Sequence, residues 1–144
     1  MKKLLDRIFI DGLGGMAQGL FATLIIGTII QQIGTFMGGT TGDLIYAVGR
    51  VAAAMTGAGI GVGVARKLDG SHLVIVSAAT AGMVGAFASK LLAGQVIKDG
   101  TMIFAGPGEP LGAFVAAYIA IECGILISGK TKLDIILTDR KSVV

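Results

Sequence analysis

Residues 12–33 have the sequence GLGGMAQGLFATLIIGTIIQQI, a run of 22 positions without a charged side chain. A helix needs about 20 mostly apolar residues to cross the hydrocarbon core of a bilayer. Three more apolar stretches follow, at Leu44–Ala65, Leu73–Leu92 and Leu111–Ile127. Because these are continuous runs and not ten-residue alternating segments, they predict helices and not barrel strands. We therefore expect an all-α, polytopic integral membrane protein with four transmembrane helices.

The composition points to the same class. Of the 144 residues, 53% are hydrophobic, 15% are charged and 24 are glycine, whereas an ordinary soluble domain has about 25% charged residues and about 7% glycine. A mean hydropathy of +0.84 leaves too little polar surface to coat a soluble globule. The apolar content also excludes disorder. No basic stripe with interleaved aromatics is present, so we expect no nucleic-acid partner.

The basic residues predict how the spans are oriented. Cytoplasmic loops of membrane proteins carry an excess of lysine and arginine. Seven basic residues flank one side of the predicted spans: Lys2, Lys3, Arg7, Arg66, Lys67, Lys130 and Lys132. Only Lys90 and Lys98 fall on the other side. The alternation predicts a cytoplasmic N-terminus, and it explains the net charge of +3 without an acidic partner.

Glycines four positions apart predict close helix packing. Small residues at this spacing line one face of a helix and let two backbones approach. The pairs are Gly15 and Gly19, Gly34 and Gly38, Gly57 and Gly61, Gly59 and Gly63, and Gly108 and Gly112. The dense run 57–63 favours either a helix crossing or a helix weakened enough to bend. It does not contain the G-x-G-x-x-G pattern of dinucleotide-binding turns.

Residues 124–131, GILISGKT, match the letters of a phosphate-binding P-loop. A P-loop requires a strand that ends in a flexible loop before a helix. Here the variable positions end an apolar span, so we interpret Gly129-Lys130-Thr131-Lys132 as a helix stop followed by a positive anchor.

Three ionisable residues are candidates for a substrate site. Arg50 and Glu122 lie inside predicted spans, where charges usually face a cavity, a partner or a substrate. Their depths differ by about 8 Å, which two long side chains could bridge. Glu109 lies in Gly106-Pro107-Gly108-Glu109-Pro110, and a broken helix beside an acid is a common transporter site. The alternatives are a snorkelling Arg50, a structurally paired Glu122 and a solvated Glu109.

Other polar residues favour structural roles. Asp11 and Asp43 lie near span ends, where we expect them to cap helices. His72 has no second metal ligand nearby, which favours an interfacial or capping residue over a metal site. Cys123 is the single cysteine and cannot form an internal disulfide.

The segment 7–23, RIFIDGLGGMAQGLFAT, resembles the start of the bacterial family of phosphotransferase-system enzyme IIC, type 2. The segments 57–65, 106–112 and 128–136 resemble that family as well. The resemblance implies the N-terminal half of a sugar-translocating permease subunit in the bacterial plasma membrane. Such a subunit is usually dimeric and works with the phosphoryl carriers IIA and IIB, and IIB phosphorylates the translocated sugar. The resemblance implies no cofactor and no covalent catalysis on this chain.

In better-known IIC families, a G-I-T-E-P segment supplies a sugar-binding glutamate. The segment 106–110 shares the Gly, Glu and Pro of that pattern, which places Glu109 at the glutamate position. Two alternatives stay open for the chain: a carrier for another small solute, and a non-transporting membrane scaffold whose glycine faces serve oligomerisation.

The last residues depart from the family. The apolar segment 133–137 predicts the stub of a fifth span, but the chain continues as DRKSVV at 139–144. This hexapeptide is the translation of a common sequencing adapter. We therefore expect residues 1–138 to be a partial EIIC-like transmembrane domain and residues 139–144 to be a non-native tail.

Overall fold

The computed structural model describes residues 2–102 and 106–127, and its longest element is helix α1, Lys2–Met37. Its 36 residues extend over about 54 Å at 1.5 Å per residue. Two π-helical segments, Arg7–Gly12 and Phe21–Ile25, interrupt its α-helical hydrogen bonding. They separate the α-helical parts Lys2–Asp6, Leu13–Leu20 and Ile26–Met37. The expected cap at Asp11 is wrong, because this residue lies inside the continuous helix.

The chain reverses at Gly38 and Gly39, whose φ angles of 65° and 67° are left-handed and favour glycine. Helix α2, Gly39–Ala54, returns along α1 and is followed by helix α3, Thr56–Lys67. The two helices are bent by 42° at Met55. The bend lies directly before the glycine run. The run itself is continuous helix in close contact with neighbouring helices, so of its two alternatives the helix crossing is confirmed. Asp43 lies within α2 and makes no capping hydrogen bond, so the cap expected there is wrong.

A tight turn leads from α3 into helix α4, His72–Ala86. The Ser71 hydroxyl accepts a hydrogen bond from the Val74 amide at 3.4 Å, so Ser71 caps α4 and His72 does not. Helix α4 stops at Phe87 and is followed by the short helix α5, Ala88–Leu92. The predicted third span is therefore broken in two.

A minimal β-hairpin and helix α6 complete the described chain. Strands β1, Ile97–Lys98, and β2, Thr101–Met102, pair antiparallel with Ile97 opposite Met102. The intervening Asp99-Gly100 turn is a two-residue hairpin signal that the prediction of an all-α chain did not use. Helix α6, Pro110–Ile127, begins one residue before the predicted fourth span and covers all of that span.

Helix α3 is the centre of the fold, because it packs against α1, α4 and α6. The buried cluster around it is made of Ile60, Val64, Ala65, Leu68, Val74, Ala78, Ala86, Phe87, Ala113, Phe114, Ala117 and Ile121. The α1–α3 contact is glycine-mediated: a Cβ atom added to Gly15 would lie 2.7 Å from the Val64 Cα, and one added to Gly19 2.7 Å from the Ile60 Cα. Such distances leave no room for a side chain, so the predicted packing of this pair is confirmed.

In the other predicted pairs, some glycines pack against a neighbouring helix and others lie in turns. Gly57 faces α4, where an added Cβ would lie 2.7 Å from the Ala86 Cβ. Gly112 faces Gly85: a Cβ atom added to Gly112 would lie 2.6 Å from the Gly85 carbonyl oxygen. Gly34 packs against α2, but Gly38 belongs to the turn and has nothing within 4 Å of an added Cβ. The prediction of Gly34 and Gly38 as one packing face is therefore half wrong.

Residues 26–54 form a hairpin arm in which the end of α1 and the helix α2 pack mainly against each other. Its outer faces carry large exposed apolar side chains: Ile26, Ile29, Ile33, Phe36, Met37, Leu44, Val48 and Val51. An exposed apolar surface of this kind is typical of a protein that meets lipid or another protein.

The described residues are mostly helical and contain two helices able to cross a membrane by length and composition, α1 and α6. The bent pair of α2 and α3 makes a third if it is one span. Helix α4 has 15 residues, about 22 Å, which is shorter than the hydrocarbon core. The sequence predicts four spans, and the fourth stays a prediction. The segments 133–137 and 139–144 and the anchor at 129–132 lie outside the described residues.

Candidate functional site

Four interruptions of regular helix lie at one level of the structure, which we call the junction layer. They are the π segment Phe21–Ile25, the bend at Met55, the break at Phe87 and the loop at 106–109. Contacts between them place them near one another. A Cβ atom added to Gly59, one turn after the bend, would lie 3.2 Å from the Thr23 hydroxyl oxygen, and one added to Gly57 would lie 2.7 Å from the Ala86 Cβ, next to the break at Phe87.

The bend between α2 and α3 is stabilised by Thr56. This side chain is fully buried, and its hydroxyl donates a hydrogen bond of 2.6 Å to the Ala53 carbonyl oxygen. A bent helix leaves carbonyl groups without their usual amide partners, and a Ser or Thr hydroxyl can satisfy them. Thr56 therefore supplies a polar partner at the bend, in the interior of the protein.

The loop at 106–109 is joined to the end of α4 by its backbone. The Glu109 amide donates a hydrogen bond of 2.7 Å to the Ala86 carbonyl oxygen. Gly106 and Gly108 both have a φ angle of 75°, and a Cβ atom added to Gly108 would lie 2.6 Å from the same carbonyl oxygen. Pro110 then begins α6, the position at which its fixed φ and missing amide are tolerated best. The predicted non-helical loop before the last span is confirmed.

The Glu109 side chain itself is exposed. A carboxylate has two acceptor oxygens and can accept hydrogen bonds from several hydroxyl groups. Its backbone is fixed at the junction of α4 and α6, so its position does not depend on a flexible loop. The junction layer thus presents one anchored carboxylate beside a break in the helices.

The π segment Phe21–Ile25 contributes a second hydroxyl near the layer. The Thr23 hydroxyl donates a hydrogen bond of 2.8 Å to the Gly19 carbonyl oxygen. π-Helical turns within α-helices often occur at functional sites. Here the segment lies where α1 passes from its contact with α3 to its contact with α2.

A second polar group lies at the opposite end of the four packed helices. The Arg7 Nε donates to the Glu122 Oε1 at 2.7 Å, and both side chains are 34% exposed. Tyr118 lies one helical turn before Glu122, with its ring centroid 6.0 Å from that of Phe114. The Tyr118 hydroxyl is shielded and has no hydrogen-bond partner among the described residues. The group connects the start of α1 to the end of α6.

The three predicted site residues lie on three separate elements. Glu109 belongs to the junction layer and Glu122 to the Arg7 pair. Arg50 is exposed on α2, next to Gly49, whose carbonyl oxygen would lie 2.9 Å from a Cβ atom added to Gly27. Gly27 is 20 residues, about 30 Å, along α1 from Arg7. The suggestion that Arg50 and Glu122 bridge is therefore wrong, and the structurally paired alternative for Glu122 is confirmed.

The sequence pattern does not single out two residues of these groups. Arg7 contributes to the sequence pattern only as a basic residue, although that pattern places it on the same side as the end of the last span. Thr56 has no ionisable group, so its role depends on the bend that only the structure locates. Among residues 2–102 and 106–127, no cluster of three or more His, Cys, Asp or Glu side chains could hold a metal ion.

The family model described as "Phosphotransferase system, EIIC" matches residues 10–141. No curated protein and no solved structure matches the chain.

Proposed function

The chain belongs to the phosphotransferase system EIIC family, and on this premise we propose that it is the sugar-translocating part of a permease with its substrate site at the junction layer. The family and the apolar helices make it a membrane protein and a permease component. The observation that carries the proposal is the backbone hydrogen bond that fixes Glu109 against the end of α4.

Charge positions suggest where the hydrocarbon core lies along α1. Asp11 is the last charged residue of α1, and the contact between Gly15 and Gly63 puts Lys67 at the same level. Gln31 lies 20 residues further, about 30 Å, which equals the core thickness. We place the core between the levels of Asp11 and Gln31. Arg50 then lies near the outer boundary, from which its long side chain reaches the headgroups.

This placement puts the junction layer inside the core. Thr23 is 12 residues beyond Asp11, about 18 Å into a layer of about 30 Å. Irregular backbone at membrane depth is tolerated where it is buried in protein or lines a water-filled cavity. Transporters place substrate sites at such broken helices near the midplane. Glu109 at this level would accept hydrogen bonds from sugar hydroxyl groups.

The proposed topology has four crossings with the N-terminus in the cytoplasm. The Arg7 Nη2 donates a hydrogen bond of 3.5 Å to the Leu68 carbonyl oxygen, and the same guanidinium forms an ion pair with Glu122. The start of α1, the turn after α3 and the end of α6 therefore share one end of the molecule. This is the end where the basic residues of the described chain concentrate, which supports a cytoplasmic assignment. The residues after Phe87 would complete the third crossing.

The family implies phosphoryl-carrier partners and a solute. We propose that IIA and IIB act at the basic end, that IIB phosphorylates the sugar as it leaves Glu109, and that two subunits associate in the bacterial plasma membrane. Glu122 and Arg50 stay predictions as substrate contacts. The tail at 139–144 also stays a prediction.

Uptake measurements test the proposal. The full-length gene product that contains this chain is expressed in cells that lack other sugar phosphotransferases, with and without phosphorylated IIB, and labelled sugar and sugar phosphate are quantified. Phosphorylated product that depends on IIB is the expected result. Uptake of unphosphorylated sugar would support a carrier, and a stable oligomer without transport would support a scaffold.

A pair of variants tests the site. We expect Glu109→Gln to lower uptake about tenfold or more, because it weakens charge-assisted hydrogen bonds to the substrate. Asp99→Asn is the matched control, since Asp99 is an exposed carboxylate in the hairpin turn and asparagine also tolerates its φ of 52°. Equal uptake by both variants and the unchanged protein would show that Glu109 does not bind the substrate.

A further inference from the structure

A cleft of about 490 Å³ lies at the turn between α3 and α4. Its lining combines a guanidinium, a carboxylate, an imidazole and an apolar wall, and the residues are Arg66, Asp69, Gly70, His72 and Ile75. The cleft is distant from the junction layer, because Arg66 and His72 are at the opposite ends of α3 and α4. It therefore requires an explanation of its own.

The charged groups of the cleft do not neutralise one another. Among residues 2–102 and 106–127, the ion pair is that of Arg7 with Glu122, and neither Arg66 nor Asp69 takes part in one. No side-chain hydrogen bond of Arg66, Asp69 or His72 occurs within the same residues. A positive and a negative group thus line one cleft, each open to a ligand.

The backbone holds Asp69 in place. Its φ of 58° is left-handed, a conformation that aspartate and asparagine tolerate better than most residues. The Gly70 amide donates to the Ala65 carbonyl oxygen at 2.9 Å, which closes the end of α3 in the manner of a Schellman turn. The Asp69 carboxylate is therefore presented from a turn of fixed shape.

The cleft also lies at a boundary between polar and apolar surface. Arg66 and Lys67 end α3, and Leu68 contacts Arg7 at the same end of the molecule. Ile75 lies one turn into α4, and Leu73 and Val76 beside it are large apolar side chains exposed on that helix. A ligand here would meet charges at one end and an apolar helix face at the other.

We propose that this cleft binds the headgroup of a phosphoethanolamine lipid. The lipid phosphate would accept hydrogen bonds from Arg66 and His72, its primary ammonium would donate to Asp69, and its acyl chains would lie along the apolar face of α4. A purely anionic headgroup would be repelled by Asp69. A choline headgroup has no N–H to donate. The mixed charges therefore select a zwitterion with a primary amine.

Native mass spectrometry of the purified full chain tests this. The chain is titrated in detergent with phosphatidylethanolamine, phosphatidylcholine or phosphatidylglycerol that carry identical acyl chains. We expect the ethanolamine lipid to be retained about threefold more than either other lipid, as one exposed charge interaction allows. Equal retention of the three would overturn the proposal.

Three variants assign the selectivity to side chains. Asp69→Asn keeps a residue that tolerates the left-handed φ, and it should lower ethanolamine retention to the choline level. Arg66→Gln should weaken binding of all three lipids. Lys67→Gln is the matched control, because it removes the same charge one residue away and outside the cleft lining. An unchanged preference in Asp69→Asn, or its loss in Lys67→Gln, would contradict the proposed contacts.

A soluble competitor separates the lipid from a free ligand. Phosphoethanolamine without acyl chains should displace the lipid only at a large molar excess, because it lacks the contact with α4. Displacement at equal concentration would show that a soluble zwitterion occupies the cleft and would overturn the lipid assignment. None of these measurements depends on transport, so the proposed permease function fails or holds separately.

Discussion

The guanidinium of Arg7 and the carboxylate of Glu122 are 2.7 Å apart, although 115 positions separate them in the sequence. The pair joins the first π segment of α1 to the last turns of α6. Helix α3 packs between these helices, so the pair closes the bundle at its basic end. Because each side chain is about one-third exposed, the pair contributes as a partly solvated interaction and not as a buried one.

We expect Glu122→Gln to lower the free energy of unfolding by about 1 kcal/mol, because the substitution removes the charge that faces Arg7. Glu122→Asp keeps that charge and should cost less. For the same reason we expect Glu122→Gln to change transport more than Glu122→Asp. Unfolding of the purified chain in mixed micelles, followed by circular dichroism, measures the stability difference.

The matched control is Asp43→Asn, which removes an exposed carboxylate of α2 that has no ion-pair partner among the described residues and lies on a helix away from Arg7. A double-mutant cycle with Arg7→Gln completes the test. If the effects of Arg7→Gln and Glu122→Gln were strictly additive, the two side chains would not interact in solution.

Two glycines of α1 should respond differently to alanine. A Cβ atom on Gly19 would lie 2.7 Å from the Ile60 Cα, so Gly19→Ala forces α1 away from α3 and should destabilise the fold by about 1–3 kcal/mol. A Cβ atom on Gly14 would meet nothing within 4 Å. Gly14→Ala should therefore be neutral or stabilise by up to about 1 kcal/mol through helix propensity. Unfolding in mixed micelles compares the two, and equal effects would mean that α1 and α3 are not in close contact.

The bend at Met55 should depend on the Thr56 hydroxyl. Thr56→Val keeps the shape of the side chain but removes the donor to Ala53, which should cost about 1 kcal/mol. Thr35→Val is the control, because the Thr35 hydroxyl makes a similar bond of 3.0 Å to the Gln31 carbonyl oxygen in an exposed, regular α-helical part of α1. Thermal unfolding of the two variants should differ. A loss as large in Thr35→Val would assign the effect to threonine in general and not to the bend.

Gly106 and Gly108, in the loop before α6, have the same φ of 75° and can be compared directly. Alanine at either position adopts a left-handed conformation that costs about 1 kcal/mol. At Gly108 the new Cβ would also lie 2.6 Å from the Ala86 carbonyl oxygen, which accepts the Glu109 amide. We expect Gly108→Ala to lower both stability and sugar uptake, and Gly106→Ala to lower stability slightly and leave uptake near normal. Similar uptake by the two variants would contradict the role of the Ala86–Glu109 junction.

The sequence alone predicts the helical membrane class, the family and much of the helix packing. Uninterrupted apolar runs such as 12–33 have one stable form in lipid, because every backbone amide must find its partner within the helix. Glycine spacing predicts that Gly15 and Gly19 pack closely against a neighbouring helix, since a helix repeats its faces every three to four residues, but not that this helix is α3. The segment 106–110 predicts a break, because its glycines and prolines do not continue a helix.

Tertiary structure decides where these features meet. Hydropathy does not indicate that the helix formed by the third apolar run is interrupted at Phe87. The residues on both sides of this break are apolar, so the mean hydropathy does not change there. Arg50 and Arg7 are equally plausible partners for Glu122 by charge, and only the packing of α1 beside α6 selects Arg7. The junction layer likewise joins residues from 21 to 109, and their common level depends on the helix registers that close glycine contacts fix. Local hydrogen bonding and solvation therefore determine which segments of this chain form membrane helices and which form breaks. Steric contact between the segments determines which polar groups face each other.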